Sequence, residues 1–89
     1  MANKRDLKKM INYICSDVFS ECVAASIYSG KKGSEDVKAI LSSILIVNDD
    51  AIRRVSHPEP GMPKNVYYKD LKDKFNSQIG EIVDQIINI

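Results

Sequence analysis

Three side chains in this sequence could form a thiol–imidazole pair or bind a soft metal ion: Cys15, Cys22 and the single histidine, His57. A thiol beside an imidazole can act as a nucleophile, whereas a closed zinc site needs four such ligands. The cysteines lie seven positions apart, which in a helix is about 10 Å along the axis and beyond the roughly 7 Å reach of a disulfide. Both also fall among apolar residues at helical spacing, where a thiol is buried and inert. These residues therefore predict two reduced core thiols, with no metal and no cofactor.

Other catalytic patterns do not occur in the chain. A glycine-rich phosphate loop, an HExxH zinc motif and the spacing of an EF-hand are all missing. Carboxylates do not fall at apolar stripe positions, where burial would raise the pKa of an acid. We therefore predict that the protein is not an enzyme. The open alternative is an enzyme or a small-ligand carrier with a pocket between helices, lined by Cys15, Phe19 or Asn48.

Length and composition restrict the chain to one small globular domain. Its 89 residues are 44% hydrophobic and 28% charged, which is ordinary for a folded protein and unlike a disordered one. No apolar run approaches the roughly 18 residues that a membrane span requires. The basic start of the chain lacks the apolar segment and the cleavage site of a signal peptide. Together with the unpaired thiols, this predicts a cytoplasmic protein that does not associate with membranes.

Apolar residues recur at helical spacing in three segments, which predict helices at about 4–29, 34–56 and 66–88. The connection between the first two helices is short, so these helices must run antiparallel. The connection to the third is longer and rich in proline. The simplest fold with these connections is an all-α, up-down-up three-helix bundle with long helices.

The residues between these segments explain where the helices end. Asn3 and Ser34 are suitable N-caps, and Gly30 is suited to a left-handed helix end. Three prolines make residues 57–65 a loop, because proline disfavours helix in the residue before it. Within this loop, Pro60–Gly61 is suited to the centre of a type II turn.

Four apolar residues lie off the main stripes and form a candidate interface. Ile46 and Val47 belong to the second helix, and Val83 and Ile87 to the third. Isolated exposed apolar residues are normal on monomers. We favour the alternative, in which these residues bury a second face and the protein is a homodimer, most simply a two-fold one.

Two residues within the helices need a separate explanation. Asn48 falls in the apolar stripe of the second helix, where it is either satisfied locally or sets the register between chains, as a core asparagine does in coiled coils. Gly80 lies inside the third helix, where glycine is about 1 kcal/mol less favourable than alanine. The presence of a glycine at that position in spite of this cost predicts a close contact with another helix.

Antiparallel packing would bring the start of helix one, the end of helix two and the start of helix three to one end of the bundle. That end, the basic pole, collects an excess of positive charge beside the proline-rich loop. A solvated charge cluster is the plainer interpretation, and the functional alternative is a site for an acidic protein or nucleic acid. The loop is likewise either a rigid connector, which we favour, or a recognition element. The candidate binding residues of the pole are Lys4, Arg5, Lys8, Arg53, Arg54, His57 and Lys64.

Two stretches of the chain carry a resemblance. Lys4–Ile14 (KRDLKKMINYI) and Val55–Met62 (VSHPEPGM) look like parts of small all-helical proteins of Bacteroidetes-type bacteria, a group without an assigned function. The resemblance implies a bacterial cytoplasmic setting and brings no activity or catalytic residue with it.

The leading hypothesis from the sequence is a non-enzymatic helical interaction or scaffold module that associates with itself. The first alternative is a regulator that binds an acidic partner or nucleic acid through the basic pole. The second is a ligand carrier or an enzyme with a pocket between its helices.

Overall fold

The computed structural model describes residues 4–89, which form three helices joined by two short connections. These are α1 (Lys4–Tyr28), α2 (Glu35–Ser56) and α3 (Lys64–Ile87). No strand occurs among the described residues, so the all-α three-helix bundle predicted from the sequence is confirmed. None of the described helices is both long and apolar enough to cross a membrane.

The first connection ends α1 and starts α2 through local backbone chemistry. Gly30 has a φ of 71°, the left-handed conformation that closes a helix, and the Lys31 N–H donates to the Ser26 carbonyl at 2.9 Å. Ser34 then caps α2, because its Oγ accepts a hydrogen bond from the Val37 N–H at 3.3 Å. Both helix ends are as predicted. The predicted cap at Asn3 lies outside the described residues.

The second connection is shorter than predicted. A turn around Pro60–Gly61 is closed by the Met62 N–H, which donates to the Glu59 carbonyl at 3.4 Å, and Gly61 has the positive φ of 86° that a type II turn requires. Pro63 is the N-cap of α3, so the helix starts two residues earlier than position 66. The prediction was wrong there because proline restricts the residue before it and not the residues after it. The loop therefore covers 57–63.

Each helix contributes one apolar stripe to a common core. Leu45 follows the stripe of α2 at helical spacing, next to buried Ile44, yet it is 60% exposed. It lies on the flank of the stripe, where neither neighbouring helix covers it. The core consists of Leu7, Ile11, Cys15, Val18, Cys22, Val37, Ile40, Ile44, Ala51, Val55, Leu71, Phe75, Ile82 and Ile86.

Packing between the helices is unequal. The middle helix α2 packs along both neighbours, whereas α1 and α3 contact each other much less. The bundle is also long and thin, with extents of 48 × 18 × 16 Å and a radius of gyration of 14.6 Å, against about 12 Å for a compact chain of this length. A thin bundle leaves much apolar side-chain surface at its edges, and α1 and α3 are the two helices in least contact with each other.

Candidate functional site

Two tyrosines join the start of α3 to the end of α2 and so assemble one end of the bundle. The single O–H proton of Tyr67 is shared between two acceptors, the Arg54 carbonyl oxygen at 2.9 Å and the His57 carbonyl oxygen at 3.3 Å. The Tyr68 hydroxyl donates to the Val55 carbonyl at 3.5 Å. These bonds satisfy carbonyls that the end of a helix leaves unpaired. The sequence analysis assigned neither tyrosine this role, because a tyrosine at a helix start has no distinctive spacing.

The antiparallel order of the helices places the start of α1 at this same end, which brings the residues of the basic pole together. Its two arginines are engaged within α2: Arg53 Nη2 lies 3.1 Å from Asp49 Oδ2, and Arg54 Nε lies 3.1 Å from Asp50 Oδ2. Both pairs are largely exposed, and such pairs contribute about 0–1 kcal/mol each. They partly neutralise the end of α2, so the unpaired positive charge of the pole lies mainly on lysines.

The remaining cations of the pole form no ion pair within residues 4–89. They surround the starts of α1 and α3, and all but Lys8 are exposed. These cations are Lys4, Arg5, Lys8 and Lys64 of the candidate binding residues, together with Lys9 and Lys69, which neighbour them at the starts of α1 and α3.

His57 and the two thiols are not brought together. His57 is exposed at the end of α2, where its N–H donates to the Arg53 carbonyl at 3.0 Å. Cys15 and Cys22 are free and buried in the bundle interior. Burial raises the pKa of both thiols above the ordinary thiol value, which keeps them protonated and unreactive. Among the described residues, no group of three or more side chains is placed to hold a metal ion.

The four residues of the candidate interface do not form one patch. Ile46 is 67% exposed and Ile87 is 74% exposed, whereas Val47 and Val83 are half-buried and pack against the core. At roughly 100° per residue, Ile46 projects from α2 away from both other helices. Ile87 projects from α3 towards the edge of α1, on the opposite side of the bundle. One interface therefore cannot use all four.

Four residues of α3 lie on the side of the helix that faces away from α2: Asn76, Gly80, Val83 and Ile87. The other flank of the helix, which includes Lys74 and Gln85, borders α2. Gly80 in this row is exposed, and a Cβ added to it would have no atom within 4 Å. The close helix contact predicted at Gly80 is thus not made within the described chain. We call this row of four the α3 seam; its members follow the alternating four- and three-residue spacing of a coiled coil.

A groove with a volume of about 420 Å³ runs between α1 and α2 near the middle of the bundle. Buried Cys15 and Ile44 and half-buried Phe19 line it, and exposed Leu45 stands at its edge. Asn48 also lines it, and the Oδ1 atom of this residue is buried without a hydrogen-bond donor among residues 4–89. Cys15, Phe19 and Asn48, which the sequence singled out for a pocket, are therefore brought together.

No protein-family model, curated protein or solved structure matches this chain. Its function is therefore inferred from the three surfaces described above: the basic pole, the α3 seam and the groove between α1 and α2.

Proposed function

We propose that this protein is a non-enzymatic helical interaction module that associates with a second copy of itself through the face between α1 and α3. Gly80 carries the proposal. A glycine in the middle of a helix is about 1 kcal/mol less favourable than alanine, and no neighbour among residues 4–89 needs the space that its missing side chain leaves. Glycine is also the residue that lets another backbone approach closely. A helix of a second copy that crosses α3 at Gly80 would account for the presence of glycine at this position.

The surroundings of Gly80 support this interface. Ile87 and half-buried Val83 follow it along the α3 seam. Met10 and Tyr28 are exposed on α1, and at roughly 100° per residue they lie on the flank that faces α3. A two-fold dimer would place this surface against its own copy, so the apolar residues near the two-fold axis would gain a partner. The thin packing between α1 and α3 leaves the face open to such a contact.

The test is the mass of the protein in solution, measured by light scattering over a series of concentrations. We expect the wild-type chain to be a dimer and Ile87→Asp to be a monomer, because the new carboxylate would be buried without a partner. Ile46→Asp is the matched control, since it makes the same change at an equally exposed isoleucine on the other side of the bundle. A wild-type monomer at the highest concentration, or a dimer that Ile46→Asp disrupts instead, would rule out this interface.

Binding of an acidic protein or nucleic acid at the basic pole is a second candidate function. Its support is that Lys4, Arg5 and Lys64 occupy the first turns of α1 and α3, the ends at which the helix dipole disfavours cations by about 0.3–1 kcal/mol each. No acid occupies the first turn of α3. Positive charge at these positions opposes helix formation, and an anionic partner would offset that effect.

Retention on heparin at low salt tests the second candidate. Lys4→Glu with Arg5→Glu should abolish retention, whereas Lys31→Glu with Lys32→Glu should not. The control pair makes the same change in charge in the turn between α1 and α2, at the opposite end of the bundle. Equal loss with both pairs would mean that only net charge matters, and no retention of the wild type would exclude the pole as a polyanion site.

We also infer a cytoplasmic location. It is supported by the two free thiols, Cys15 and Cys22, since paired cysteines are the rule in small secreted domains.

A further inference from the structure

The charges of α3 are arranged against the dipole of the helix. Its first turn holds Lys64 and no acid, and its last turn holds no cation. The middle helix α2 has the opposite arrangement, with Glu35 and Asp36 in its first turn and Arg53 and Arg54 in its last, which the helix dipole favours. The order of charge in α3 therefore gains nothing within its own helix, and charges that would compensate it lie outside that helix.

The same order of charge extends to α1, the other helix of the face proposed for the dimer. No cation follows Lys9 in α1 or Lys74 in α3. Because α1 and α3 both run antiparallel to α2, their starts meet at the basic pole and their ends meet at the other end of the bundle. The two helices are therefore basic over residues 4–9 and 64–74 and acidic beyond them. The acids of the second half, all of them exposed, are Asp17, Glu21, Glu81 and Asp84.

Ion pairs within residues 4–89 do not cancel this polarity. The pair in α3, between Lys74 Nζ and Asp70 Oδ2 at 3.1 Å, lies wholly inside the basic half. The four acids of the other half take part in no ion pair of the described chain. The two lysines in the turn between α1 and α2 lie at the acidic end, and the two acids in the first turn of α2 balance them. Each half of the face therefore keeps its charge.

Several of these charges lie on the face between α1 and α3. At roughly 100° per residue, Lys69, Asp73 and Asp84 border the α3 seam. Lys72 lies on the flank of α3 towards α1, and Glu21 lies on the flank of α1 towards α3. The basic half of the face thus has a net positive charge, and the acidic half has no cation on either helix in the part of the chain that the structure describes.

From this polarity we infer that the two copies of the proposed dimer cross antiparallel, with the basic half of each face against the acidic half of its partner. The inference rests on the proposed function and adds the orientation and the charge selectivity of the interface. A parallel two-fold dimer would instead bring like charges together at both ends, which is unfavourable. In the antiparallel dimer, the cations at the start of one α3 lie near the acids and the negative helix end of the other.

Charge reversal distinguishes the two orientations. Lys69→Glu with Lys72→Glu makes both halves acidic, and Glu21→Lys with Asp84→Lys makes both halves basic. In an antiparallel dimer, each of these double variants places like charges together. In a parallel dimer, like charges already face each other, so neither variant adds a repulsive contact. We expect each double variant to raise the dissociation constant about tenfold, because an exposed charge pair is worth a factor of up to about five and the two-fold axis repeats each change.

Combining all four changes restores the attraction in the antiparallel dimer, so the quadruple variant should dimerise as tightly as the wild type does. Each change places a charge with the dipole of its own helix and not against it, so a weaker dimer would not result from a weaker helix. Lys38→Glu with Arg53→Glu is the matched control. It makes the same change in net charge on the side of α2 turned away from this face, and it should leave the dimer unchanged.

Light scattering over a concentration series, at about 0.01 M and 0.15 M salt, measures all of these affinities. The Debye length shortens from about 30 to 8 Å over this range, so the affinity of the wild type should fall as salt is added. A dimer that tightens with salt, or that both double variants leave intact, would overturn the antiparallel crossing while the dimer itself stands. A quadruple variant as weak as the double variants would also overturn it. A wild-type monomer at every concentration would remove the dimer and this inference together.

Discussion

Replacing Gly80 with alanine separates the effect of this residue on folding from its effect on self-association. Gly80 lies in the interior of α3 without a positive φ, and an added Cβ would meet no atom of the described part of the chain within 4 Å. Alanine therefore fits without strain, and it should stabilise the helix by about 1 kcal/mol, partly because it restricts the unfolded chain. For a domain of this size, that gain corresponds to a rise in Tm of about 4–8 °C.

The same substitution should weaken the dimer. If a second copy of α3 crosses at Gly80, the new methyl group enters the closest point of the contact, and overpacking of this kind destabilises by about 1–3 kcal/mol. The dissociation constant should then rise by roughly 5- to 150-fold. Thermal unfolding followed by circular dichroism, at a concentration where the chain is monomeric, gives the first effect. Light scattering over a concentration series gives the second.

Two further alanine variants serve as controls. Ser77→Ala makes a favourable change at an exposed position of α3 outside the seam, so it should raise Tm slightly and leave the dimer unchanged. Gly61→Ala forces a φ of 86° on a residue with a side chain, and it should destabilise the chain by about 1–2 kcal/mol. A lower Tm for the monomeric Gly80→Ala variant would refute the account of this glycine. A raised Tm with an unchanged dimer affinity would refute the close approach of the two helices.

The remaining predictions concern the loop anchor and the thiols. Tyr67→Phe should destabilise the chain by about 0.5–1.5 kcal/mol, as measured by urea unfolding, because it removes the O–H that two carbonyls at the end of α2 share; Tyr68→Phe, which removes a longer 3.5 Å bond, should have a smaller effect. Burial raises the pKa of Cys15 and Cys22, so the stability that the neutral thiols provide is present below the unfolded-state pKa and is lost as pH rises through the folded-state pKa. The wild type should therefore lose more stability in alkaline solution than a Cys15→Ala, Cys22→Ala variant, and equal losses would contradict this reasoning.

Part of the candidate site could be predicted from the sequence. The basic pole follows from helix order alone, because antiparallel neighbours must bring alternate helix ends together. The pocket residues Cys15, Phe19 and Asn48 could be named as candidates because all three fall on predicted apolar stripes. The early start of α3 at Lys64 could not be anticipated from a loop with three prolines, since it depends on the backbone that Pro63 adopts.

The sequence by itself determined the three helices, their caps at Gly30 and Ser34, and the burial of most of the core. Each of these depends on residues within a few positions of one another, where spacing and backbone preference decide the outcome. Only the tertiary structure decided that Leu45 is exposed, that Gly80 has empty space beside it, and that Ile46 and Ile87 lie on opposite sides. Those facts depend on how far two helices separate and how each is rotated about its axis. Packing between distant residues sets both, and the pattern of a single helix does not specify them.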